Sequence, residues 1–92
     1  MKPQIFSKFE KINRKWTFKI LFTVFECEKA GFNYIKKALS PITSKILSSR
    51  LKALEETALL KKEVVVEKPL KVEYRLTRKG RRLMAAMATS LS

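Results

Sequence analysis

SPITSKILSSRLKALEE at 40–56, KKEVVVEK at 61–68 and KVEYRLTRKG at 71–80 decide the fold of this chain. In the first segment Ile46, Leu47, Leu51, Leu54 and Ala58 recur at helical spacing and are expected to face a core, while Lys45, Ser48, Ser49 and Lys52 project outward. Pro41 disfavours helical geometry at Ser40, so the chain must turn there before a new helix starts at Thr43 or Ser44 under a hydroxyl cap. The second and third segments have strand composition, with Val64, Val65 and Val66 and then Val72, Tyr74 and Leu76, joined by a turn around Pro69. Because Val72, Tyr74 and Leu76 alternate with Glu73 and Arg75, one hairpin face belongs to the core and the other to solvent, with Lys68 and Lys71 near the tip. Thr77 is then placed to cap a last helix striped by Leu83, Met84, Met87 and Leu91.

Upstream, Phe6, Phe9, Asn13, Trp16, Ile20 and Val24 recur at steps of three and four, along one side of a helix or of two consecutive helices. Phe18, Leu21, Phe22 and Phe25 add a second apolar face, so this region needs cover on both sides: its own domain on one, a second subunit on the other. Ala30 and Gly31 punctuate its end, and Phe32, Ile35 and Leu39 mark a short helix whose other face shows Asn33, Lys36 and Lys37. The expected fold is mainly α with a small β-hairpin wing, an α+β winged helix-turn-helix filling residues 1–92 as one domain. Phe6, Phe9 and Trp16 of the first helix, with Leu83, Met84, Met87 and Leu91 of the last, are the candidate subunit seam. Periodicity alone fits a monomer core nearly as well.

Charge indicates the partner. The chain has 92 residues, 21 Lys plus Arg, 8 acidic residues and a formal net charge of +13. By thirds the balance is +4, +3 and +6, so the excess peaks across the hairpin and the residues after it. A polyanion fits this balance, and so does a generally cationic soluble surface. Small hydroxyls and cations on one helix side suit a major groove, where bulk is restricted and donors must reach base edges and phosphates. The same composition suits an ordinary solvated face, and the adjoining basic hairpin is what tips the balance. Trp16 and the Phe residues sit at core spacing, which leaves no exposed stacking platform for single-stranded RNA.

Catalysis lacks raw material. The chain has no His and no Asp, so a Cys-His or Ser-His pair and a metal cluster are excluded, and no cofactor is expected. Glu55 and Glu56 are adjacent on a helix and point apart, and Gly31 and Gly80 stand alone rather than in a phosphate-cradling loop. The apolar run Trp16–Phe25 is broken by Lys19 and falls short of the ~20 residues of a bilayer span. No small-x-small cleavage site comes after it, so neither a membrane span nor a signal peptide is expected. The single Cys27 fits a reducing compartment. The expected location is cytoplasmic, associated with the nucleoid.

KWTFKIL at 15–21, the Phe32-Asn33 helix, ITSKILSSRLKALEETALLKK at 42–62 and PLKVEYRLTRKG at 69–80 together resemble the HxlR-type winged helix-turn-helix transcriptional regulators, relatives of the MarR group. The match covers about residues 15–83 in order and spacing. The resemblance implies a homodimer that places its recognition helices in successive major grooves of palindromic double-stranded DNA. It makes Thr43 to Glu56 the recognition helix, with Ser44, Lys45, Ser48, Ser49, Arg50 and Lys52 as DNA contacts. Leu60 to Leu76 becomes the wing, with Lys68 and Lys71 as its DNA-facing cations. Asn33, Lys36, Thr43 and Arg75 complete the candidate set, and Arg50 has an alternative partner in Glu55 or Glu56.

Two glycines usual in that family are replaced here, by Pro41 between the helices and by Ala58 after the recognition helix. The cysteine through which some members sense oxidants precedes the Lys-Trp motif, whereas Cys27 comes after it and is expected to be a small apolar filler near the subunit seam. The operator, the sign of regulation and any small-molecule effector are not written in the residues. A non-specific architectural DNA-binding protein and a protein-interaction module are the competing readings.

Overall fold

The computed structural model describes the backbone of residues 3–91 and the side chains of residues 14–65 and 68–90. Seven elements succeed one another: α1 (Pro3–Cys27), β1 (Lys29–Gly31), α2 (Phe32–Ala38), α3 (Ser44–Glu56), β2 (Leu60–Glu67), β3 (Leu70–Leu76) and α4 (Arg78–Leu91). The strands form one antiparallel sheet in the order β1-β3-β2.

The N-terminal pattern resolves into one continuous helix, since no glycine or internal proline interrupts residues 4–27. Ile20, Leu21 and Val24 of α1 enter the core, while Trp16, Phe22 and Phe25 are half-buried against it. Glu28 then adopts a left-handed φ of 66° and swings the chain out of the helix. The helix thus ends earlier than Ala30-Gly31, and those residues belong to a strand that their composition does not announce. In β1, Lys29 pairs with Arg75, Ala30 with Tyr74 and Gly31 with Glu73. Lys-Ala-Gly has little strand propensity of its own, and the segment is extended because the edge of β3 supplies hydrogen-bond partners.

Tyr74 and Leu76 face inward as the alternation predicts, and the hairpin sets Leu60 opposite Leu76 and Val64 opposite Val72. A bulge lies between Val64 and Val66. Leu60, Tyr74, Leu76 and Ala30 share the face that packs on the helices. On the opposite face Glu63 Oε1 lies 3.4 Å from Arg75 Nη1 and 3.8 Å from Lys61 Nζ. Lys29 Nζ is 4.0 Å from Glu73 Oε1. These pairs are largely solvent-exposed and contribute at most about 1 kcal/mol each. Toward its tip the hairpin leaves the core, and Val64, Val65 and Leu70 are exposed.

Two details depart from the sequence-based expectation, and a third adds to it. Ala58 faces solvent, two residues past the end of α3 and with a φ of 61°, so it is a turn residue and not a core residue. Met84 is 1% exposed inside the chain's own core, which leaves it no surface to offer a second subunit. Cys27 is half-buried against the core as a small side chain, and its thiol also donates to Tyr34 Oη at 3.4 Å, a polar contact between α1 and α2 that its spacing does not announce. Of the other seam candidates, Leu83 is exposed and Trp16 and Met87 are half-buried, while Phe6, Phe9 and Leu91 lie outside the described side chains.

Candidate nucleic-acid interface

Between α2 and α3 the chain turns within residues 39–43. Ile42 N donates to Leu39 O at 3.0 Å, and Ile42 itself is buried, so the turn is anchored from inside. Thr43 caps α3 as expected: its Oγ1 accepts from Ile46 N at 3.2 Å. That satisfies one of the amide groups a helix start leaves unpaired. Leu47, Leu51 and Leu54 are all but fully buried and fix the rotation of the helix. Because they are locked inward, Lys45, Ser48, Ser49 and Lys52, spaced at three and four residues, form one exposed ridge, with Ser44 beside it.

The remaining candidates fall in three places. Arg50 lies half-buried on the flank of α3, and its guanidinium donates to Ser49 Oγ at 3.4 Å, so among the described residues its neighbour is Ser49 and not Glu55 or Glu56. Asn33 is exposed at the start of α2, and Lys36 is half-buried one turn later. Lys68 and Lys71 are exposed at the far end of the hairpin, and Arg75 sits lower, on the outer sheet face, bonded to Glu63. The fold thus brings the α3 side chains onto one ridge and the two wing lysines to one tip, and it holds Arg75 apart from both.

Beyond α3 the geometry is set by Thr77, whose Oγ1 accepts from Gly80 N at 3.0 Å and donates to Ala58 O. Thr77 N donates to Leu59 O at 3.1 Å. The end of α3, the exit of β3 and the start of α4 therefore meet at one point. Gly80 belongs there because a Cβ would run into the Leu59 carbonyl and the Leu76 side chain. Tyr74, under this junction, has its phenol pushed above the ordinary range by burial first and by the Glu55 carboxylate second.

The arrangement is a helix-turn-helix (α2–turn–α3) with a basic two-stranded wing behind it, and residues 11–91 match the family model described as HxlR-like helix-turn-helix. The chain belongs to the HxlR-like helix-turn-helix family. It is similar to the HTH-type transcriptional regulator YodB of Bacillus subtilis, with 34% identity over 85 residues, 92% of this chain and 75% of YodB. It is 41% identical over 73 residues to the HTH-type transcriptional regulator YdzF of the same organism, covering 78% of this chain and 66% of that protein. In three dimensions it resembles the reduced form of B. subtilis YodB, with a TM-score of 0.74 and 32% identity over 99% of this chain and 88% of that one. A MarR-family regulator from Enterococcus faecalis V583 superposes with a TM-score of 0.79 at 28% identity, over 99% and 84% of the two chains. As an HxlR-like protein, the chain is a helix-turn-helix transcriptional regulator with a MarR-like winged fold, and the expectation drawn from its Lys-Trp, helix and wing motifs holds. No helix among the described residues is long and apolar enough to cross a membrane.

Among the cations outside the candidate set, four are clustered at the start of α4, Arg78, Lys79, Arg81 and Arg82, all exposed. The stripe of Leu83, Met84 and Met87 draws attention to the opposite side of that helix.

Proposed function

We infer that the protein acts as a homodimer on palindromic double-stranded DNA, one α3 entering the major groove at each half-site. The observation that carries this reading is the ridge of Lys45, Ser48, Ser49 and Lys52. It holds two ammonium groups and two hydroxyls and no bulky side chain, on a helix whose opposite face is locked by Leu47, Leu51 and Leu54. Such a ridge fits a groove about 12 Å wide, where hydroxyls donate to or accept from base edges and lysines reach guanines or phosphates. Lys68 and Lys71 then hold the backbone or minor groove, while Asn33 and Lys36 take flanking phosphates. Arg50 orients Ser49, and Arg75 serves the sheet more than the duplex.

The seam uses the exposed and half-buried apolar surface of α1 and α4, including Phe18 at 38% exposure and Leu83 at 41%, together with Trp16 and Met87. Phe6, Phe9 and Leu91 are assigned to the same seam from their spacing in the sequence. The whole chain functions as one regulatory domain without catalysis, in the cytoplasm on the nucleoid.

Selection of bound fragments from random DNA at near-physiological salt tests this. Two inverted half-sites spaced by about one helical turn, or a multiple of it, are expected. Recovery of fragments with no shared motif overturns sequence-specific regulation and favours an architectural coat, the reading to which the charge of +13 would then belong.

A further inference from the structure

We propose that Arg78, Lys79, Arg81 and Arg82 form a second, sequence-independent duplex-binding surface, through which the protein holds a DNA segment other than the one read by α3. The proposal rests on the reading of α3 and the wing as the first DNA contact.

The cluster is unlike the rest of the surface. The chain has 15 Lys and 6 Arg, yet three of those six Arg fall within residues 78–82. Arg78, Arg81 and Arg82 stand three and four positions apart on one face of α4, with neighbouring Cβ atoms about 5–6 Å from each other. Among the described residues no carboxylate lies within ion-pair distance of any of the three. The first turn of α4 holds no acidic residue, and Lys79 donates to Thr57 O at 3.2 Å, at the end of α3. Cations packed into the first turn of a helix disfavour that helix by a few tenths to about 1 kcal/mol each, so α4 gains nothing from its arginines, whereas Lys79 holds a terminal carbonyl of α3. An external polyanion accounts for them.

Phosphate is the chemistry that fits. A guanidinium presents a planar fork of donors to two oxygens of one phosphate, and several at helical spacing can track a backbone. The face that carries Arg78, Arg81 and Arg82 continues through Ala85 without a large apolar side chain, so it lacks the anchor a protein partner would need. Arg81 and Arg75 line one cleft of about 290 Å³ together with Val24, Phe25, Leu76 and Glu28. Lys29 and Lys61 flank Arg75 across the sheet, but all three are ion-paired with Glu63 or Glu73, so the cluster itself is confined to α4.

Position separates this surface from the first. The cluster lies at the C-terminal end of α3, about 16 Å along the helix from Lys45 and about 6 Å from Lys52, the last residue of the ridge. It also lies about 20 Å along β3 from the wing tip. The N-terminal half of α3 and the wing tip are thus both displaced from the cluster, and a duplex seated on Lys45 and Lys68 leaves it free for another segment.

The test immobilises a duplex recovered by selection, loads it with protein and offers a labelled duplex of unrelated sequence. Wild type is expected to capture the labelled duplex. The variant R78Q/R81Q/R82Q is expected to bind the selected duplex within about twofold of wild type and to lose capture by about tenfold or more, with the salt dependence of log K for the unrelated duplex flattened by about 2.7 for three lost contacts. Its melting temperature should hold or rise, since Gln is a good helix former and removes charge repulsion. Unchanged capture by the variant overturns the proposal. Equal loss of the selected duplex also overturns it, because the cluster then belongs to the first contact. Displacement of the labelled duplex by polyglutamate as readily as by unlabelled DNA overturns it in favour of an acidic protein partner. Wild type that binds the selected duplex but captures no second one sinks this proposal alone, whereas wild type without affinity for any duplex sinks the functional reading with it.

Discussion

The hydroxyl of Thr77 reaches back nineteen residues to donate to the carbonyl of Ala58 while accepting from Gly80 N. One side chain thereby caps α4 and pins the turn that ends α3, so the angle between α3 and the wing depends on it. Thr77→Ala should lower stability by about 1–2 kcal/mol, at the upper end for a lost cap because a second hydrogen bond goes with it. Thr77→Ser should recover most of that. Urea denaturation of the three proteins checks it, and equal midpoints for Thr77→Ala and wild type would refute the link.

Ala58 and Glu28 hold left-handed φ values of 61° and 66° without being glycine. Each Cβ there crowds a carbonyl oxygen, at about 1–2 kcal/mol. Glycine relieves that crowding but gives the unfolded chain more freedom, so Ala58→Gly should stabilise by about 0.5–1 kcal/mol net. A thermal melt of Ala58→Gly at or below the wild-type midpoint would contradict this.

Gly80 predicts the opposite sign. Its missing Cβ is where the Leu59 carbonyl passes, and Leu76 Cδ2 would stand 3.0 Å from it, so Gly80→Ala must push α4 away from the turn after α3. A loss of about 1–3 kcal/mol is expected, despite alanine's better helix propensity. A gain in stability would show that α4 does not pack as described.

Tyr74 sets an alkaline limit. Burial and then Glu55 raise its phenol above the ordinary value of 10.0. The folded state therefore keeps a proton that the unfolded chain releases near that value. Its contribution is fully present below about pH 10 and is lost as pH rises through the raised folded value. Stability measured by denaturant titration should fall above about pH 10, and Tyr74→Phe should flatten that fall.

Lys45, Lys68 and Lys71 should each remove about 0.9 from the slope of log K against log salt when changed to Gln, if each holds a phosphate. Lys45→Gln should also change which half-site sequence is selected, whereas the wing variants should weaken all sequences alike. A Lys45→Gln protein with wild-type sequence preference would move Lys45 off the base edges.

Local chemistry made much of this legible in the chain. Thr43 and Thr77 announce helix starts because a hydroxyl before an apolar period has one job there. Leu47, Leu51 and Leu54 locate a buried face by spacing, and the alternation from Val72 to Leu76 gives the strand and its inward side. The ridge of Lys45, Ser48, Ser49 and Lys52 emerges as the complement of that buried face. The family motifs read from 15 to 80 rest on the same residues.

Periodicity and caps act within a few residues, and for that reason the chain spells out the order of its elements, the helix-turn-helix and wing, and the outward side of α3. The third strand, the burial of Met84, the left-handed turn at Ala58 and the pairing of Arg75 with Glu63 come instead from contacts between segments far apart in the chain. Lys29–Gly31 is a strand only because β3 has an open edge, and Met84 is core only because α1 and the sheet close over it.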